Sequence, residues 1–299
     1  MKVDFPPAFD INYYRKSYPE LNGMPDEVVT EHYRRYAEER GLSVCFYDKA
    51  EFMRAFISDF IKENPVKVLE IGPYDNPACI GDNVKYFDVH DSETLKVLAE
   101  KEKRPFKNTP EKIHYVEPNG DLSIVKEKFD IVFSSHCIEH QPDLIRHLQN
   151  VENLLNEGGL YVLVIPDKRY CFDHFRNGST LFEVIGAAVE NRTIHNFKSV
   201  SEYNCLHTHN NSVLHWLGEH GTGTFSSEKF ASAIDSYEKS INEGRYLDVH
   251  AWCFTPKIFG DIIEDLNSLG MINLKIYRLC HTVWGRFEFS AVLKKNSVR

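Results

Sequence analysis

The chain predicts a doubly wound, mostly parallel α/β sheet, and three observations point to it. Five short apolar runs, VKVLEIG (66–72), VKYFDV (84–89), KIHYVE (112–117), FDIVFSS (129–135) and LYVLVIP (160–166), are rich in β-branched and aromatic residues and read as buried strands. Between the fourth and fifth lies DLIRHLQNVENLLNEGG, whose Leu144, Ile145, Leu148, Val151, Leu154 and Leu155 share a helical face, with Gly158 and Gly159 offering a left-handed cap. The alternation resumes at the C-terminal end with PKIFGDIIEDLNSLG as a helix and INLKIYRLC and RFEFSAVLKK as two last strands, which makes a seven-stranded sheet. A sheet of this kind takes its ligand at the carboxyl ends of its strands.

The remaining segments attach to that frame. Residues 5 to 45 carry aromatic residues at helical spacing around an NGMPDE turn and predict a small N-terminal helical unit, 1–45, beside a main domain, 46–299. From Tyr47 the run YDKAEFMRAFISDFIKE reads as an amphipathic helix that ends before Asn64 and Pro65. Residues 168–251, aromatic and histidine-rich, interrupt the alternation and predict a lid or substrate-binding insertion over the carboxyl edge.

Composition removes several function classes. The 299 residues are 42% hydrophobic, which excludes wholesale disorder, and 35 Lys and Arg against 44 Asp and Glu leave a net charge of -9. That balance argues against nucleic acid as a partner, because non-specific binding to a phosphate backbone needs a cationic surface. No apolar stretch approaches the ~20 residues of a membrane span, and MKVDFPPAFD lacks the layout of a secretion signal, so a cytoplasmic protein is expected. Seven scattered cysteines without a CxxC fit reduced thiols. Fourteen histidines are the unusual feature, five of them between His195 and His220.

The chemistry-bearing residues gather at strand ends. Glu70 stands two residues before Gly72, where the backbone can approach a ligand while the carboxylate receives a cationic or hydroxyl group. No GxGxxG follows, and Pro73, Tyr74 and Asp75 put bulk and negative charge where a dinucleotide pyrophosphate would need a glycine cradle. Asp88 ends the second strand, either as an acceptor for both ribose hydroxyls or as a turn or capping aspartate. Past the third strand, Asp121 and the amide of Leu122 suit the edge of an adenine. In SSHCIEH, at the end of the fourth strand, His136 is expected beside the reacting carbon, while Glu139 and His140 either serve the chemistry, His140 as a base, or cap the next helix.

Together these positions resemble a class I S-adenosylmethionine-dependent methyltransferase over residues 47 to 170, most clearly in VLEIGPYDNP, in FDIVFSSHCIEHQPDLIRHLQNVENLLNEGG and in LYVLVIPD. The resemblance implies a Rossmann-like methyltransferase fold with S-adenosyl-L-methionine as cofactor. It implies methionine contacts at Glu70, Gly72 and Pro73, the ribose at Asp88, the adenine at Asp121 and Leu122, and His136 near the sulfonium. The first turn departs from the family's glycine-rich pattern as G-P-Y-D-N, a form found among members that act on glycans.

The insertion sharpens the acceptor side. PDKRYCFDHFR with the later HAWCFTP resembles methyltransferases of bacterial surface-polysaccharide (O-antigen or capsule) biosynthesis. By that likeness His250 lies close to the strand edge and is the second candidate base, after His140, while His136 completes the candidate catalytic set beside the reacting carbon. Arg169, Tyr170, His207, His209, His215 and Trp252 are candidate substrate contacts, either as stacking and hydrogen-bonding groups or, for the aromatics, as lid core. His207, His209 and His215, with Asp173 or His174, also suggest a metal, but their spacing matches no helical or finger site and no metal ligand is assigned. The N-terminal FDINYYRKSYPEL resembles a helical segment that recurs beside glycan-synthesis domains, which makes glycan-synthesis proteins candidate partners. The expected activity is O-methylation of a sugar or glycan-linked hydroxyl. The alternatives are a small phenol, lipid or phosphoramidate-type acceptor, or a non-catalytic scaffold.

Overall fold

A computed structural model describes residues 8–46, 48–223, 225–244 and 246–296. The first seven residues of the opening segment and Tyr47, where the second helix was expected to begin, lie outside the described residues. The seven strands are β1 (Val68–Ile71), β2 (Val84–Asp88), β3 (Tyr115–Val116), β4 (Phe129–Ser135), β5 (Leu155–Pro166), β6 (Leu274–Leu279) and β7 (Glu288–Lys295). They form one sheet in the order β3-β2-β1-β4-β5-β7-β6. The first five pair in parallel, and the β6–β7 hairpin adds antiparallel to β5. Buried on both faces, β1 and β4 are the near-continuous apolar runs that such a position demands.

The ten α-helices among the described residues are α1 (Ile11–Ser17), α2 (Asp26–Arg40), α3 (Ala50–Glu63), α4 (Ser92–Lys101), α5 (Leu144–Leu154), α6 (Leu181–Val189), α7 (Phe197–Leu206), α8 (Ser212–Trp216), α9 (Ser227–Glu243) and α10 (Pro256–Ser268). One face of the sheet packs on α5, α6 and α10 through Leu148, Val151, Val184, Ile263 and Leu266. The other face packs on α3 through Met53, Ile57 and Ile61. The helices from α6 to α9 fill the insertion, and α7 lies against α9. No described helix is long and apolar enough to cross a membrane.

Two local expectations are corrected. Gly158 and Gly159 do not cap α5: the helix ends at Leu154, and both glycines lie inside β5. Gly158 has φ +71°, and a Cβ on Gly159 would stand 2.9 Å from the Asn156 carbonyl oxygen, so the pair serves an irregular strand start. Nor do Glu139 and His140 cap α5. They form a single 3₁₀ turn at 138–140, and the cap is Asp143, whose carboxylate accepts from the Arg146 amide at 3.0 Å.

The N-terminal helices have their own small core of Tyr14, Leu21, Val29, Ala37 and Val44. The unit is fastened to the region of the terminal hairpin. The Trp284 amide donates to the Gly41 carbonyl at 2.8 Å, His281 Nε2 donates to the Leu42 carbonyl at 2.6 Å, and Arg278 reaches Cys45 Sγ at 2.9 Å.

Candidate active site

The carboxyl ends of β1, β2 and β4 and the turn after β3 meet on one edge of the sheet. Gly72 leaves β1 at φ +66°, and its amide donates to the Phe87 carbonyl at 2.9 Å. A Cβ there would stand 2.5 Å from Cys137 Sγ, so glycine allows the β1 and β4 turns to close on each other. The Glu70 carboxylate is turned to the chain that follows its own strand. It is buried and accepts from the Ala78 and Cys79 amides, each at 2.8 Å, so it pins the loop beyond Pro73. Burial raises its pKa to about 7 against the pull of those amides. The negative charge expected after Gly72 is matched: Arg104 pairs with the buried Asp75 at 2.9 Å and lies over the Tyr74 ring at 4.9 Å. Pro73 is buried, and its carbonyl accepts from Asn76 at 3.1 Å.

Asp88 ends β2 as a buried carboxylate that accepts from the His90 amide at 3.0 Å. Burial lifts its pKa to about 6, against backbone amides that favour the charge and with Asp248 adding to the rise. Asp121 is exposed and caps the turn 122–124 through the Ser123 amide at 2.9 Å, while Asn150 donates to it at 3.1 Å. The Leu122 side chain belongs to the core. Asp121, Gln141, Arg146 and Asn150 are among the residues lining a cavity of about 170 Å³ beside these turns.

A cluster of histidines surrounds Glu139. That side chain is wholly buried, and neither of its oxygens has a hydrogen-bond partner. One oxygen, Oε1, has His136 Nδ1 at 3.7 Å, His140 Nε2 at 3.7 Å and His250 Nε2 at 3.9 Å. Each imidazole has a second carboxylate at its far nitrogen. His136 Nε2 bonds Glu288 at 2.9 Å, His140 Nδ1 lies 3.0 Å from Asp248, and His250 Nδ1 bonds Asp173 at 2.5 Å. Arg176 completes the third pair by donating to Asp173 at 2.8 Å and to the His250 carbonyl at 2.9 Å. Burial alone would raise Asp173, but His250 and Arg176 hold it at about 2. Burial lowers His136 and His140, and the carboxylates outweigh it, so both stand above the ordinary imidazole value. His136 also has φ +55°, a rare backbone state for a non-glycine residue.

The substrate contacts expected in the insertion divide. His207 is exposed and stacks on Phe172 at 4.4 Å, and Tyr203 meets both rings, forming an aromatic wall that reaches His250. Trp252 is a correction: it is buried, and its indole donates to the Gln141 carbonyl at 2.6 Å, so it offers no face for stacking. Arg169 is spent on Asp167, which it grips at 3.0 and 2.7 Å, and Tyr170 is covered by Trp216 at 3.8 Å. His209 and His215 bind within the insertion, His209 to the Glu219 carbonyl and the buried His215 to the His209 carbonyl. The expected grouping of His207, His209 and His215 does not form. The histidines that converge there are His174, His215 and His220.

Sequence reasoning missed Asp173 and Asp248 as partners of the histidines. The Asp173–His250 contact spans 77 positions, and no local spacing signals it.

A family model described as "Methyltransferase domain" matches residues 33–220, more than half of the chain. No curated protein matches it. Among solved structures, the 1,6-didemethyltoxoflavin-N1-methyltransferase of Burkholderia thailandensis is 12% identical, with 99% of this chain and 94% of that chain covered and a TM-score of 0.39. A putative S-adenosylmethionine-dependent methyltransferase from Listeria monocytogenes is 12% identical, with 81% and 99% covered and a TM-score of 0.40. The trans-methyltransferase CalH, solved with S-adenosylhomocysteine, is 12% identical, with 81% and 55% covered and a TM-score of 0.38. The chain spans about half the length of CalH and of some other solved relatives.

Proposed function

The chain belongs to the methyltransferase-domain family, and from that premise we propose that it transfers the methyl group of S-adenosyl-L-methionine to a hydroxyl of a sugar or glycan-linked group, in surface-polysaccharide assembly. The observation that carries the reading is the convergence of His136, His140 and His250 on buried Glu139, directly after the strand whose turn closes on Gly72.

The residues fit this cofactor. Asp88 is a desolvated carboxylate at the end of β2, a good acceptor for two ribose hydroxyls, and Asp121 lies at a cavity on the next turn, where an adenine belongs. When bound, S-adenosylmethionine supplies a methyl group already activated by its sulfonium. The protein's remaining work is to align an acceptor oxygen, exclude water and take up a proton. Asp173 and Asp248 hold His250 and His140 with their Nε2 atoms toward Glu139, and Glu288 holds His136 with Nδ1 toward it. The acceptor hydroxyl belongs at this cluster, and His136, held above its ordinary pKa, takes the proton. The aromatic wall of Phe172, Tyr203 and His207 gives the apolar face of a sugar ring a surface beside the cluster.

Turnover with pooled acceptors tests the reading. With S-adenosylmethionine present, nucleotide sugars and oligosaccharides should yield S-adenosylhomocysteine, and His136→Gln should slow that reaction about 100-fold or more. Turnover of a pool of small phenols, with none in the sugar pool, would replace the acceptor class.

A further inference from the structure

We infer that Glu139, His140 and His250 form a binding site for a first-row divalent transition ion of the zinc type. A buried carboxylate normally has its oxygens hydrogen-bonded, because an unpaired buried charge is costly. Glu139 is wholly buried with both oxygens unpartnered, and the nearest imidazole nitrogens, at 3.7 and 3.9 Å, are beyond hydrogen-bond reach. Those separations suit two ligand atoms on one ion, since two bonds of about 2.0–2.2 Å enclosing a wide angle span somewhat under 4 Å.

The outer contacts support the same assignment. Metal-binding histidines donate their other nitrogen to a carboxylate or carbonyl, which fixes the tautomer and turns the lone pair to the ion. His250 Nδ1 bonds Asp173, while His140 Nδ1 lies 3.0 Å from Asp248 without hydrogen-bond geometry, and in both rings Nε2 is the nitrogen turned to Glu139. Two imidazoles and one carboxylate select zinc-like ions over magnesium or calcium, which prefer all-oxygen shells. Three protein ligands leave a coordination position open, and an acceptor hydroxyl entering it would be acidified in place. This site was not among the ligand groupings expected from the sequence.

The role in activating an acceptor rests on the methyl-transfer reading, whereas the site itself rests on geometry. The test is a calorimetric titration of chelator-treated full-length protein with zinc chloride, with S-adenosylhomocysteine binding measured on the same samples. Wild type should take up one more tight equivalent of zinc than Glu139→Gln, and magnesium should not replace it. Asp173→Asn should weaken that equivalent about 10–100-fold. His140→Gln serves as a second ligand variant if Glu139→Gln fails to fold. Equal zinc uptake by wild type and a folded ligand variant overturns the site, as does a wild type that binds S-adenosylhomocysteine but no zinc. Zinc uptake without any S-adenosylhomocysteine binding supports the site and removes the methyl-transfer reading instead.

Discussion

At the scale of single residues, Gly72 and Asp88 make the most specific demands. Replacing Gly72 by alanine places a methyl 2.5 Å from Cys137 Sγ on a backbone at φ +66°, so it carries a steric and a conformational penalty together. Gly72→Ala should therefore lower the unfolding free energy by roughly 2–4 kcal/mol in a denaturant titration. Adding Cys137→Ala should recover the steric part and leave the conformational part. Asp88 predicts a pH dependence. Ribose hydroxyls bond best to the ionised carboxylate, and the free protein's Asp88 titrates at about 6. Affinity for S-adenosylhomocysteine should thus be full above that pH and fall as pH drops through it, approaching tenfold per unit because binding then releases a proton. The sign for folding is the reverse: the raised pKa favours the folded state below the ordinary aspartate range, and that contribution is lost as pH rises through about 6. An Asp88→Asn variant should show neither dependence in calorimetry across pH.

At the scale of elements, helix ends separate what pattern reveals from what it hides. The apolar face of α5 was readable because Leu144, Leu148 and Val151 recur at helical spacing and all are buried. Its ends were not. The glycine pair after it was taken up by β5, whose pairing with β4 and β7 outweighed a local capping preference. The start falls to Asp143, which bonds the Arg146 amide, and Asp143→Ala should cost about 1 kcal/mol in thermal unfolding. The third strand illustrates a related loss. An apolar run at 112–117 suggested six residues, but only Tyr115 and Val116 pair, because β3 is an edge strand with β2 as its sole neighbour.

At the scale of the whole molecule, the order of the sheet brings the turns after β1, β2, β3 and β4 to one edge, and the insertion between β5 and α10 delivers Asp173, Asp248 and His250 to the same place. The strand ends were legible in the sequence because each chemical residue there lies within a short apolar run or no more than five positions beyond its end. The acceptor side was less so. Trp252 and His207 are both expected from the sequence as substrate contacts, yet one ends in the core and the other on the exposed wall, a distinction set by tertiary packing. Glu70 shows the same limit: its place before Gly72 was readable, its use in holding the 78–79 backbone was not. Part of the histidine excess gathers in the Glu139 cluster and in a separate group, His174, His215 and His220, within the insertion.

The central claim is that this edge binds a sulfonium nucleoside. Isothermal titration of the full-length protein with S-adenosylhomocysteine at pH 7.5 or above, about 1.5 units or more over the Asp88 value, tests it most directly. One saturable site in wild type, weakened tenfold or more in Asp88→Ala, is the predicted result. A folded wild type that takes up no S-adenosylhomocysteine, or binding unchanged by Asp88→Ala, would contradict it.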